Sequence, residues 1–237
     1  NSKSGLYPLF ITYSIYRNKI EEKYDNIKHY ELSISEQLKI WDEVITQNLF
    51  VICQTPMAKF ITKRTLVGFR NANVNTRYFD NLILQITHKQ QNFIEKIKKG
   101  KDFWKTNNNN NMKFNAIVGN PPYQIMDGGH SGSAKPVYHH FIEIAKKLKP
   151  NLISMIMPAR WYAGGKGLDN FRDEMLNDSR VSEIYDFPNS NECFSSVDIA
   201  GGVCYIKWNS NHKNECSVTS KINGNINSTL RNLSEFD

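Results

Sequence analysis

The chain has 237 residues, 40% of them hydrophobic, and a formal net charge of +7 from 30 Lys and Arg against 23 Asp and Glu. That length suits one domain, or one and part of another, with a real core, and the charge favours a polyanionic partner, although an acidic protein would also fit. No stretch approaches a membrane span and no secretory signal is visible. Cys53, Cys193, Cys204 and Cys216 show no CxxC pair or zinc spacing, so a cytoplasmic protein with reduced thiols is expected.

In chain order, the apolar run from Leu6 to Arg17 predicts a buried helix to about Glu22, with Pro8 tolerated in its first turn. Ser35–Trp41 reads as a second helix and Asn48–Cys53 as a strand. Thr55 then caps a helix to about Leu66, with Pro56 at its first position, and another helix runs from about Asn81 to Lys98. The asparagine tract Asn107–Asn111 buries nothing and reads as a variable loop. Ala116–Gly119 is a short buried strand, followed after a mobile Gly- and Ser-rich loop (Gly128–Ser133) by an amphipathic helix over Pro136–Lys149. Leu152–Met157 is a core strand, Asp169–Asn177 a helix, Val181–Phe187 a strand and Ala200–Trp208 the last strand. Arg160 and Lys166, with Gly164, Gly165 and Gly167, form a second basic, flexible loop. Strands alternating with helices argue for an α/β sheet with crossover connections, whose ligands sit beyond the carboxyl ends of strands. His139 and His140, with His130 nearby, read as solvated residues entering a helix, and no metal site is expected.

The most informative residues are Asn120-Pro121-Pro122-Tyr123, placed where the Ala116–Gly119 strand ends. An exocyclic amine on an aromatic ring is a poor nucleophile because its lone pair is delocalised. Two acceptors aimed at its two N–H bonds hold it so that the lone pair can face a methyl group. The Asn120 side-chain oxygen supplies one acceptor and the Pro121 carbonyl the other, since proline keeps its C=O while lacking a donor. Pro121 and Pro122 stiffen the turn in advance, and Tyr123 offers a flat face for an extruded base. This arrangement resembles the NPPY motif of the S-adenosylmethionine-dependent amino-methyltransferases, above all restriction–modification enzymes acting on N6 of adenine in DNA.

The resemblance extends over most of the chain and is to a type IIG-like methylase. It implies a Rossmann-like methyltransferase sheet over residues 1–237, lacking its first strand in this fragment, with the target-recognition region beyond residue 237. Ser4 and Gly5 lie where a glycine-rich cofactor turn should end, although only one glycine is visible. Cys53-Gln54 occupies the strand end where the family carries an acidic residue for the cofactor ribose. Gln54 could hydrogen-bond a ribose; Cys53 reads equally as a small buried residue. By resemblance, Asp102 accepts from the cofactor's adenine amino group and Phe103 packs against that ring, while Phe194 closes over the target base opposite Tyr123. Phe194 also reads as an ordinary core side chain. The implied cofactor is S-adenosyl-L-methionine and the implied partner double-stranded DNA, with recognition or nuclease domains outside the fragment and no membrane. Two alternatives stay open: methylation of an RNA base or a protein glutamine, and a non-catalytic DNA-binding module derived from such an enzyme.

Overall fold

The computed structural model describes residues 5–24, 31–106, 111–126, 134–195 and 197–235. The chain divides into two compact units, Asn1–Met112 and Lys113–Asp237. The loop expected at Gly128–Ser133 lies outside the described residues, as do Ser4 and His130. No helix among the described residues is long and apolar enough to cross a membrane.

The first unit opens with helices α1 (Leu6–Lys23) and α2 (Ile34–Glu43). Ser33 starts α2 through a reciprocal capping box, accepting from the Glu36 amide while the Glu36 carboxylate accepts from the Ser33 amide. Tyr16, Ile20, Ile40 and Val44 bury one cluster. After a π turn over Val44–Asn48, strand β1 (Phe50–Cys53), helix α3 (Pro56–Val67) and strand β2 (Asn75–Tyr78) form a βαβ unit with parallel strands. Thr55 caps α3 by accepting from the Ala58 amide at 3.1 Å, with Pro56 at the first position as expected. The single helix expected after Asn81 is two, α4 (Leu82–His88) and α5 (Gln90–Lys98), because the chain leaves helical geometry at Lys89. The Thr87 hydroxyl bonds back to the Ile83 carbonyl at 2.9 Å, a local competition that ends or bends helices.

The second unit holds β3 (Ala116–Gly119), β4 (Gln124–Met126), β5 (Ala134–Pro136), α6 (Tyr138–Lys147), β6 (Leu152–Pro158), α7 (Asp169–Leu176), β7 (Val181–Phe187), β8 (Val203–Asn209), β9 (Cys216–Ile222) and β10 (Asn225–Arg231). Six of these strands form a mixed sheet in the order β10-β9-β7-β8-β6-β3, a fold consistent with a Rossmann-like methyltransferase sheet. Strand β6 pairs in parallel with β3 and antiparallel with β8. Ile153, Met157, Cys204, Ile206 and Trp208 turn to one face and pack with Tyr138 and Ile142 of α6, Trp161, and Phe171 and Met175 of α7.

Four expectations are corrected here. Strand β3 is only half-buried, because it lies at the sheet's edge. The helix placed at Pro136 begins at Tyr138, since Ala134–Pro136 pairs with β4 instead. Strand β8 is not the last: β9 and β10 follow as a hairpin across Asn223-Gly224, whose φ values of 51° and 80° suit a type I′ turn. The loop expected to be flexible around Gly164–Gly167 is tied down, with the Gly165 amide donating to Asp169 at 2.8 Å.

Asp178 binds the unit together. Its carboxylate accepts from Arg180 Nε at 2.6 Å and Trp208 Nε1 at 2.9 Å and pairs with Lys146 of α6 at 2.8 Å. Burial pushes its acidity toward the neutral form, but Arg180 and Lys146 hold it well below the usual carboxylate range. A carboxylate depressed on folding contributes stability above its unfolded pKa and loses it as pH falls. Asp178→Asn is therefore expected to cost about 1–3 kcal/mol at pH 7 in urea unfolding. The gap between wild type and variant should narrow as pH drops below about 4.

Gly202 precedes β8 at φ +79°, and a Cβ there would run into the Phe187 carbonyl and come within 2.7 Å of the Pro188 oxygen. Gly165 also has positive φ, +74°, but has nothing within 4 Å of the same point. Gly165→Ala should cost about 1–2 kcal/mol, the left-handed term alone. Gly202→Ala should cost clearly more in the same assay, and equal losses would mean that the Phe187–Pro188 backbone yields freely.

Candidate functional site

Asn120-Pro121-Pro122-Tyr123 leaves β3 beside the carboxyl half of β6, with Gly119 registered against Met155. The turn is anchored at its far end, where the Val137 amide donates to the Tyr123 carbonyl at 3.1 Å. The β4–β5 hairpin is thereby closed against the turn, and α6 starts immediately after it. Pro121 is buried and Asn120, Pro122 and Tyr123 half-buried. The Tyr123 hydroxyl points inward without a well-formed hydrogen bond. Burial raises its pKa far above that of free tyrosine, Cys193, Tyr205 and Cys204 add to the rise, and the neighbouring Asn120 side chain opposes it. Tyr123 is therefore neutral at any physiological pH, an aromatic plate rather than an acid or base.

The carboxyl end of β7 and the amino end of β8 reach the same sheet edge, with Phe187 opposite Val203 and Val203 opposite Pro158. Between them, Ser190 knots the loop by donating to the Val197 carbonyl at 2.8 Å and accepting from the Ile199 amide at 2.9 Å. Cys193 Sγ lies 3.7 Å from the Tyr205 hydroxyl. The structure thus brings Tyr123 and the Cys193-Phe194 loop to one locality, but the Tyr123 and Phe194 rings make no stacking contact with each other. Phe194 is half-buried, and its amide is held by the Ser190 carbonyl at 2.8 Å. Behind the edge, Cys204 is fully buried and its thiol is pushed up to about 12 by desolvation, which makes it inert. Asp186, also raised by burial, faces the Tyr162 hydroxyl on the same side of the sheet.

The residues expected to meet a cofactor fall in the first unit. Gly5 begins α1 at φ +77°, and a Cβ there would stand 2.7 Å from Thr65 Oγ1, so close packing of α1 on α3 already requires glycine. Cys53 is fully buried against Thr62, at 3.8 Å between Sγ and Oγ1, whereas Gln54, one residue on, is exposed. Asp102 is exposed in a short 3-10 turn. Phe103 stacks among Phe79 at 5.5 Å and Trp104 at 4.7 Å, beneath the Arg77 guanidinium at 5.3 Å.

One residue was missed. The ends of β1 and β2 lie side by side, Cys53 opposite Tyr78, so the residues just beyond them share the carboxyl edge of a parallel pair. Those residues are Gln54 and, after Phe79, the exposed carboxylate of Asp80. The signal was Phe79-Asp80-Asn81 ahead of an apolar helix. That signal is faint in the sequence, because β2, Asn75-Thr76-Arg77-Tyr78, is too polar to read as a strand. Asn75 is accommodated because its amide donates to the Thr46 carbonyl at 2.6 Å.

His139 and His140 are also not simply solvated. The rings lie 3.9 Å apart between centroids, His139 packs 5.8 Å from Phe171, and burial lowers the His139 pKa to about 4.

Comparison with known proteins agrees with this architecture. Over 130 residues the chain is 35% identical to an uncharacterized adenine-specific methylase of Mycoplasma pneumoniae, covering 52% of this chain and 31% of that protein. The chain thus spans about a third of that relative's length. A nuclease-deletion mutant of the Type ISP restriction-modification enzyme LlaGI, solved with a DNA substrate mimic, shares the fold with a TM-score of 0.54 at 11% identity, over 92% of this chain and 21% of that one. A modification subunit of a putative type I restriction enzyme from Vibrio vulnificus does so with a TM-score of 0.50 at 10% identity, over 81% and 38%. Residues 47–194, from the π turn after α2 through the NPPY turn to Phe194, match the Eco57I restriction-modification methylase family, and the chain belongs to it.

Proposed function

We propose that this chain is the catalytic part of an S-adenosylmethionine-dependent methyltransferase that modifies N6 of adenine in DNA within a restriction–modification system. The observation that carries the reading is the rigid NPPY turn at the end of β3, its tyrosine hydroxyl buried and its carbonyl locked to the start of α6. Membership of the family and the description of the Mycoplasma relative as an adenine-specific methylase support it. The edge of β3 that no strand among the described residues pairs supports a further strand in the full-length protein, and target recognition is assigned to segments outside these 237 residues.

In this mechanism the Asn120 side-chain oxygen and the Pro121 carbonyl accept the two amine N–H bonds and turn the nitrogen lone pair outward. Tyr123 and Phe194 stack on the two faces of the flipped base. The cofactor supplies an electrophilic methyl group when bound. Transfer would break the cofactor's sulfur–methyl bond, its electron pair staying on sulfur, and the methylated amine, cationic and acidic, would lose its proton to water, so the turn needs no strong base. In the first unit, the exposed carboxylate of Asp80 and the side-chain carbonyl of Gln54 at the carboxyl edge of β1 and β2 can accept hydrogen bonds from cofactor hydroxyls. Asp80 thus takes over the charged role that buried Cys53 cannot fill. Asp102 and Phe103 remain assigned to the cofactor's adenine, and Gly5, at the N-terminus of α1, and Ser4 before it in the sequence remain assigned to cofactor binding.

A second reading, a DNA-binding module without turnover, is favoured only by the absence of a carboxylate at Cys53. It predicts DNA binding without S-adenosylmethionine binding, whereas ours predicts both in the full-length protein. Asn120→Ala should lower methylation of a DNA duplex by at least about 100-fold while calorimetry shows cofactor affinity nearly unchanged. Turnover surviving that change would sink the mechanism. Asp80→Asn should instead weaken S-adenosylmethionine binding by about tenfold, roughly 1.4 kcal/mol, and a larger loss in Asp102→Asn would return the charged role to Asp102.

A further inference from the structure

Helix α6 places two imidazoles and a carboxylate on its first turns, outside the NPPY chemistry. Donor atoms of His139, His140 and Glu143 all lie within 4.8 Å of one another. The positions are i, i+1 and i+4, so a single helix turn fixes the spacing of all three backbones. His140 Nδ1 is 3.2 Å from Glu143 Oε2, and the two side chains are 26% and 28% exposed, which leaves a way in from solvent. His139 is held on its other side by Tyr138 and Phe171, with ring centroids at 6.0 and 5.8 Å. Its Nδ1 is buried and has no hydrogen-bond partner. A buried, unpaired ring nitrogen is costly unless something accepts its lone pair or its proton.

We propose that His139, His140 and Glu143 form a three-ligand site for a divalent transition-metal ion of the zinc kind, with the remaining position open to water. Bonds of about 2.1 Å at tetrahedral angles put neighbouring ligand atoms about 3.4 Å apart. The His140–Glu143 pair already stands at that spacing. The widest separation in the group, up to 4.8 Å, involves His139 and closes by at most about 1.4 Å through side-chain rotation. Two imidazoles and one carboxylate suit zinc, nickel or cobalt and are a poor set for magnesium, which prefers oxygen alone. The helix start that carries the ligands is the one whose Val137 amide holds the Tyr123 carbonyl. An ion there would fix the first turn of α6 and, through that hydrogen bond, the far end of the NPPY turn. The inference stands apart from the methylation reading, because metal binding is measured without turnover.

The test is calorimetric titration of Zn2+ into the chain after dialysis against a chelator, beside a Mg2+ control. One Zn2+ per chain is expected, with no Mg2+ heat, and affinity falling at least about tenfold in both His140→Gln and Glu143→Gln. Circular dichroism checks that these half-exposed replacements keep the fold. A measurement on the unaltered chain guards against misfolded variants: bound Co2+ should give the visible absorption of a tetrahedral nitrogen–oxygen site. Absence of saturable Zn2+ binding overturns the proposal. So does binding retained in both variants, which would place the ion on surface residues such as His88 or His212. A thiolate-to-cobalt charge-transfer band overturns it too, because it would mean cysteine ligands.

Discussion

The second unit depends on one strand being paired on both sides. Strand β6 bonds to β3 on one edge and β8 on the other, and its last four residues are buried. Every group of interest at that end of the sheet is positioned relative to it. Gly119 and the NPPY turn follow from the parallel register on one side. Val203, and through it Phe187 and the Cys193 loop, follow from the antiparallel register on the other. A one-residue slip would send Met155 and Met157 to the opposite face and empty the core beneath α6. Side-chain periodicity in β6 thus fixes the position of a turn that contains none of its residues.

The two units solve the problem of anchoring polar groups differently. The first relies on local capping, by Ser33, Thr55 and Asn75, each satisfying a backbone group near in space. The second gathers charge at Asp178, where one carboxylate serves a helix lysine, a turn arginine and a strand tryptophan. Breaking such a shared acceptor leaves several donors unpaired at once, whereas losing a cap frays one helix end.

Sequence reading recovered what periodicity and covalent stiffness encode. The helices at Leu6 and Pro56, the strands at Leu152 and Val181, and the NPPY turn all follow from local chemistry, and each stands within a residue or two of where it was expected. Polar strands escaped. β2 and β10 lack alternating apolar residues, and the Asn223-Gly224 turn that pairs β10 with β9 was the one available signal. Of the candidate site, the Asn120–Tyr123 turn was legible because proline restricts the backbone whatever surrounds it. On the cofactor side, the glycine of Gly5 answers to helix packing, Phe103 to an aromatic cluster, and Asp80 to a strand the pattern hid. Ligand contacts at strand ends become visible only when the strand itself is found.

The hydrogen bond from Val137 to the Tyr123 carbonyl has a consequence for evolution. It closes the base of the β4–β5 hairpin, so both ends of the segment between residues 124 and 136 are pinned together. Insertions or deletions between Met126 and Ala134 then leave the closed base in place, because the entropy of a longer loop rises slowly with its length. The length of this segment can therefore change without disturbing the Asn120–Tyr123 turn beside it.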